Sequence, residues 1–141
     1  MFLTSLYPVL MTDDVSSTAG FYRDTLGLET TFTSDWYVSF RRDGFELAIL
    51  DRNHETVPAA FRRASSGGIL INIEVPDAAE WHAELVERRG LPVVQPLRDE
   101  DFGQRHFIIE APDGILLDVI SPIAPSPEFA DAYAQGPSVT S

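Results

Sequence analysis

The sequence predicts an α+β fold made of two βαβββ modules in tandem, and three observations carry that reading. There is a helix-to-strand joint at "FYRDTLGLET" (Phe21 to Thr30), an Asp-Gly pair between alternating runs in each half, and a recurrence of the same element order from Gly67 onward. At the joint, Gly27 stands where a helix ends in a left-handed residue without a Cβ clash, and "LETTFT" then alternates as a strand does. Ahead of it, "LYPVLMTDD" reads as strand and turn. "DVSSTAGFYRDTL" reads as a helix capped by Asp13 or Asp14, with Val15, Ala19, Tyr22 and Leu26 along one face. The strands "WYVSFRR" and "FELAILD" flank Asp43-Gly44, the strongest short hairpin signal.

The second half repeats the order. "GILINIEV" is a strand, and "DAAEWHAELVERRG" is a helix with Asp77 and Glu80 spaced as a capping box and Gly90 at its stop. "LPVVQ", "RHFIIEA" and "ILLDVIS" are strands, the last two joined at Asp113-Gly114. Module one therefore covers 1–52 and module two 67–121. Between them, a polar linker at 53–66 holds one helical turn around Ala59 to Arg63. The tail 122–141 is rich in Pro, Ala and Ser. Ser126 there caps a short helix that pairs Phe129 with Tyr133.

Composition bounds the function. The 141 residues are 44% hydrophobic and 23% charged, enough for an ordinary core. A net charge of −12 argues against a nucleic-acid partner, because a phosphate backbone needs a basic surface, and mildly favours a cationic one. With no cysteine there is no disulfide, thiolate metal site or cysteine nucleophile. The apolar start "MFLTSLYPVLM" lacks a basic n-region and a cleavage site, and Pro8 and Asp13 hold it below spanning length. A cytoplasmic protein with no membrane partner is expected.

A tandem βαβββ repeat carrying "PVL…DV…FYRDTLGLE" and "APDGILLDVI" resembles the vicinal oxygen chelate superfamily, the glyoxalase and bleomycin-resistance fold, over residues 4 to 121. The resemblance implies a cupped mixed sheet with helices packed outside, and a cup holding a metal ion or a small molecule. Metal-using members draw four His, Glu or Gln ligands from the first and last strands of each half. Here those strands offer Tyr7, Glu46 or Ala48, Leu70 and Asp118. Leu70 has no donor atom, neutral Tyr7 is a poor ligand, and the repeat register sets Ala48 opposite Asp118. No metal and no cofactor are expected.

Strand alternation assigns the cup face. In module one it holds Tyr7, Tyr37, Ser39, Arg41, Glu46, Ala48 and Leu50, leaving Trp36, Val38, Phe40, Phe45, Leu47 and Ile49 to the helix side. In module two, a two-residue turn at Asp113-Gly114 sets Asp118 opposite Ile109. Phe107, Ile109, Leu70, Asn72, Glu74, Leu116 and Ile120 then join Asp118 in the cup, while His106 points to the helix layer as a structural residue. A turn one residue longer exchanges that strand's faces.

Within the superfamily the nearest resemblance is to the bleomycin-resistance type, acidic metal-free dimers that hold drug in a groove between subunits. Phe32 and Tyr37 fall where that group has groove aromatics, and Phe102 where it has a Trp-Gly pair on a mobile loop. The resemblance implies a homodimer sequestering an aromatic or cationic organic ligand such as an antibiotic, with "RDEDFGQ" (Arg98 to Gln104) as a flap. The alternative is a glyoxalase- or dioxygenase-like enzyme, a lyase, isomerase or oxygenase. A metal-free form of it takes Asp118 as general base, with Tyr7 or Asn72 polarising a carbonyl.

Overall fold

The computed structural model describes residues 1–63 and 67–128. The chain divides into two compact units, Met1–Ser66 and Gly67–Ser141, and each is built on one four-stranded sheet.

In the first unit the elements run β1 (Val9–Thr12), α1 (Val15–Leu26), β2 (Glu29–Thr33), β3 (Tyr37–Arg42) and β4 (Phe45–Asp51). The sheet order is β1-β4-β3-β2, with β1 parallel to β4 and the other pairs antiparallel. Asp14 caps α1, its carboxylate accepting the Ser17 N–H at 3.0 Å, and Gly27 stops the helix at φ 62°. Val15, Ala19 and Tyr22 of α1 are buried where the helix meets β3 and β4, as are Val38, Phe40, Leu47 and Ile49 of the helix-side set that alternation predicts; Phe45 of that set is instead 77% exposed, at the hairpin turn, and Trp36 half-buried. Asp43 and Gly44 both take positive φ, and Arg42 pairs with Phe45 to close the expected two-residue turn. The first strand starts later than "LYPVLMTDD" predicts, at Val9. Tyr7 lies just ahead of it, and the Pro8 carbonyl still accepts the Ala48 N–H at 3.1 Å.

The second unit runs β5 (Leu70–Glu74), α2 (Ala78–His82), β6 (Val93–Glu100), β7 (Gln104–Glu110) and β8 (Leu116–Pro122), in sheet order β5-β8-β7-β6. Asp77 caps α2 through the Ala79 and Glu80 N–H groups, and the helix continues with π geometry over Ala83–Arg88 before Gly90. It packs on β7 and β8. Pro96 sits within β6, which is tolerable because β6 is an edge strand, and the β6–β7 register slips between Gln95 and Arg98 beside it.

The β7–β8 connection departs from expectation. Ala111 and Ile115 close it, through an Ala111 N–H to Ile115 C=O bond of 2.7 Å, so Pro112, Asp113 and Gly114 make a three-residue loop. The reason is chemical. A two-residue turn would be closed by the pair at 112 and 115, and Pro112 has no N–H to give to that pair. The extra residue shifts the register by one, so Ile108, not Ile109, lies opposite Asp118. Every side chain of β7 changes face relative to the two-residue prediction. Phe107 and Ile109 belong to the helix-side core, fully buried with Leu117 and Val119, and the Phe107 ring meets His82 of α2 edge-on at 5.1 Å. His106 takes the opposite face. The tail helix expected to pair Phe129 with Tyr133 lies outside the described residues.

Candidate functional site

Each sheet has one face turned away from its helix, and these faces hold the candidate residues. On the first, Tyr37 pairs with Leu50, Ser39 with Ala48, Arg41 with Glu46, and Val9 with Ala48. Directly paired residues share a face, so the predicted set Tyr37, Ser39, Glu46, Ala48 and Leu50 lies together. A bulge at Thr31 brings Phe32 opposite Ser39. The Phe32 ring stands 6.1 Å from Tyr37, tilted by 54°. Phe32 is 54% exposed and Tyr7 44% exposed, large values for rings. Burial, then the nearness of Tyr7 and Glu46, raises the Tyr37 phenol above its ordinary value. Glu46 is held low first by the hydrogen bond from Arg41 at 3.0 Å and then by that from Ser5 at 3.0 Å. Its charge is answered within the sheet.

The face of the second sheet away from α2 carries an arrangement that strand alternation with the shorter turn misses. A chain of alternating charge crosses three strands. Arg98 on β6 reaches Glu100 at 2.9 Å, Glu100 Oε2 meets His106 Nε2 on β7 at 2.9 Å, and His106 Nδ1 meets Asp118 Oδ1 on β8 at 2.8 Å. His106 is 6% exposed and Asp118 8% exposed. Neutral imidazole has one N–H and satisfies one carboxylate; imidazolium has two and satisfies both. Burial works against the charged form, but the hydrogen bonds to Glu100 and Asp118 outweigh it, and His106 titrates above its ordinary value. Glu100 is held low, first by His106 and then by Arg98. On the far side of Asp118, β5 places Asn72 as its direct partner, with Leu70 opposite Leu116 and Glu74 opposite Ile120.

Phe102 lies in neither face but at the β6–β7 turn. The expected flap is shorter than "RDEDFGQ": Arg98 to Glu100 belong to β6 and Gln104 to β7. The turn is also fastened to the following chain. The Ile123 N–H donates to the Gly103 carbonyl at 3.0 Å, and the Ser126 N–H to the Asp101 carbonyl at 2.7 Å. Two of its three acids are engaged, Asp99 with Arg105 at 2.7 Å and Glu100 as above. They are not a free anionic lure for a cationic ligand. The one signal that foretold the His106 face is Pro112 beside the Asp-Gly pair.

The donor set does not fit a resident metal ion. Ala48 and Leu70 supply no donor, Glu46 is bound by Arg41 and Ser5, and both ring nitrogens of His106 are taken up by carboxylates. Among the described residues no three His, Asp or Glu side chains converge as ligands.

This two-module α+β architecture agrees with a family model. Residues 5–119 match the Glyoxalase/Bleomycin resistance protein/Dioxygenase superfamily, and the chain belongs to it. Among solved structures it is similar to a glyoxalase/bleomycin resistance protein/dioxygenase from Nocardioides, with TM-score 0.72, 22% identity and coverage of 90% of this chain and 89% of that one. It is similar to lactoylglutathione lyase from Agrobacterium tumefaciens at TM-score 0.69 and 22% identity, covering 84% and 94%. It is also similar to TioX from Micromonospora sp. ML1 at TM-score 0.66 and 15% identity, covering 85% and 99%. At these identities the likeness is one of fold. None of the curated proteins matches the chain. Among the described residues no helix is long and apolar enough to cross a membrane.

Proposed function

We propose that this protein binds a small organic molecule with a planar aromatic body, such as an antibiotic, and sequesters it without a metal. The observation that carries the reading is the exposed ring of Phe32, with the half-buried Tyr37 ring 6.1 Å from it and the exposed Tyr7 alongside, on the face of the first sheet away from α1. Exposed rings grouped on a sheet face favour a stacking partner. Ser39, Ala48 and Leu50 make a small, weakly polar floor beneath, and the Arg41–Glu46 pair closes one side. Binding in this form needs no nucleophile and no general base. A homodimer belongs to the reading, since the edge strand β2 is exposed along its whole length. Calorimetric titration with planar antibiotics, neutral and cationic, tests the function. Saturable binding weakened by Phe32→Ala and Tyr37→Ala supports it; absence of binding across the panel overturns it.

A second reading is favoured by a specific observation, the buried His106 set between two carboxylates with Asp118 at the end of the chain. In an acid–base enzyme of this family Asp118 takes the proton, and Asn72 opposite it donates to a developing oxyanion. His106 and Glu100 there act as positioning residues, because both ring nitrogens are occupied. Turnover abolished by Asp118→Asn with binding retained favours this reading over sequestration.

A further inference from the structure

We propose that Asp118 and Asn72 form a recognition subsite for a planar edge bearing two N–H donors, of the amidinium or amino-heteroaromatic class. The inference rests on the reading of the protein as a small-molecule binder and names the polar contact such a ligand makes on the second sheet.

The Asp118 side chain is 11% exposed, and among the described residues its only partner is His106, through Oδ1. Oδ2 receives no donor. Oδ2 keeps access to solvent, so a ligand N–H can reach it in place of water and make a charge-assisted hydrogen bond. Asn72 is the direct cross-strand partner of Asp118 on the same face, is exposed, and makes no hydrogen bond within the described residues. Its amide oxygen is a second acceptor beside the first. Two neighbouring acceptors match two parallel N–H groups on one planar edge, as carboxylates match amidinium and guanidinium groups.

The surroundings select a flat apolar body behind that edge. Leu70 and Leu116 pair on one side of Asn72 and Asp118, and Ile108 lies across from Asp118 on β7. Leu70 is 46% exposed and offers its side chain to a ligand surface. The His106–Glu100–Arg98 chain fixes the orientation of the Asp118 carboxylate, so the acceptor is presented in one direction without reorganisation on binding. A bare cation such as ammonium fits less well, since it leaves the paired acceptors and the leucines unused.

Titration of the isotope-labelled protein with benzamidine, followed by backbone and Asn72 side-chain amide resonances, tests the proposal. Acetophenone is the control of similar shape without N–H donors. Expected are saturable shifts along β5 and β8, including the Asn72 side-chain amide, at least tenfold weaker for acetophenone. Asp118→Asn, which turns a donor toward the ligand's donors, should weaken benzamidine at least tenfold. Asn72→Leu, at an exposed position where folding is not at stake, should also weaken it at least tenfold. Equal affinity for the two probes, or no change in either variant, overturns the subsite. Shifts confined to Phe32 and Tyr37 overturn it too, while leaving small-molecule binding on the first sheet standing.

Discussion

His106 is the residue whose role differs most between sequence and structure, and it makes the sharpest test at this scale. Its ring joins two carboxylates at 2.8 and 2.9 Å within a nearly closed environment. Replacing it by leucine leaves the buried Asp118 carboxylate without its His106 partner, a loss of about 1–3 kcal/mol for a buried polar group left unsatisfied. Urea unfolding of His106→Leu should show that loss. The pH dependence has a definite sign. The folded pKa lies above the unfolded value of about 6.5, so the stabilisation is complete below that pH and is lost as pH rises through the folded pKa. The urea midpoint of the wild type should therefore fall as pH is raised above about 6.5. His106→Gln, which does not titrate, should remove that part of the slope; an unchanged slope means the relay is not formed in solution.

At the scale of the element, most of the architecture was legible because local chemistry and alternation agree. Asp14 caps, Gly27 stops, and Asp43-Gly44 turns as expected, and the first sheet's faces follow. The second Asp-Gly pair has the same two letters and a different neighbour. Pro112 removes the N–H that a two-residue closing pair needs, the loop gains a residue, and the parity of β7 inverts. Phe107 and Ile109 thereby move from the candidate site to the core, and His106 moves the other way. Asn72, Leu70 and Asp118 keep their expected faces, because β5 and β8 are fixed by their own alternation. The β6–β7 turn supplies a prediction. Gly103 holds φ 106°, and a Cβ there would come within 3.0 Å of the Ile123 carbonyl oxygen. Gly103→Ala should destabilise by about 1–3 kcal/mol and loosen the turn, measured by thermal unfolding and by faster amide exchange at Gly103 and Ile123.

At the scale of the whole molecule, family membership defines a scaffold on which binding and several chemistries have been built, so function has to be read from the faces. The proposals of a ligand and of a second copy rest on the exposed Phe32 and Tyr7 rings of the first sheet and on the exposed edge β2. Sedimentation at micromolar protein should give a dimer, and a monomer there removes the second copy from the account. The claim at the centre is the stacking face, and calorimetric titration of wild type, Phe32→Ala and Tyr37→Ala with planar antibiotics tests it most directly. Each truncated ring should cost about 1–3 kcal/mol of binding, a factor of roughly ten to a hundred in Kd. Equal affinities in all three proteins would contradict it.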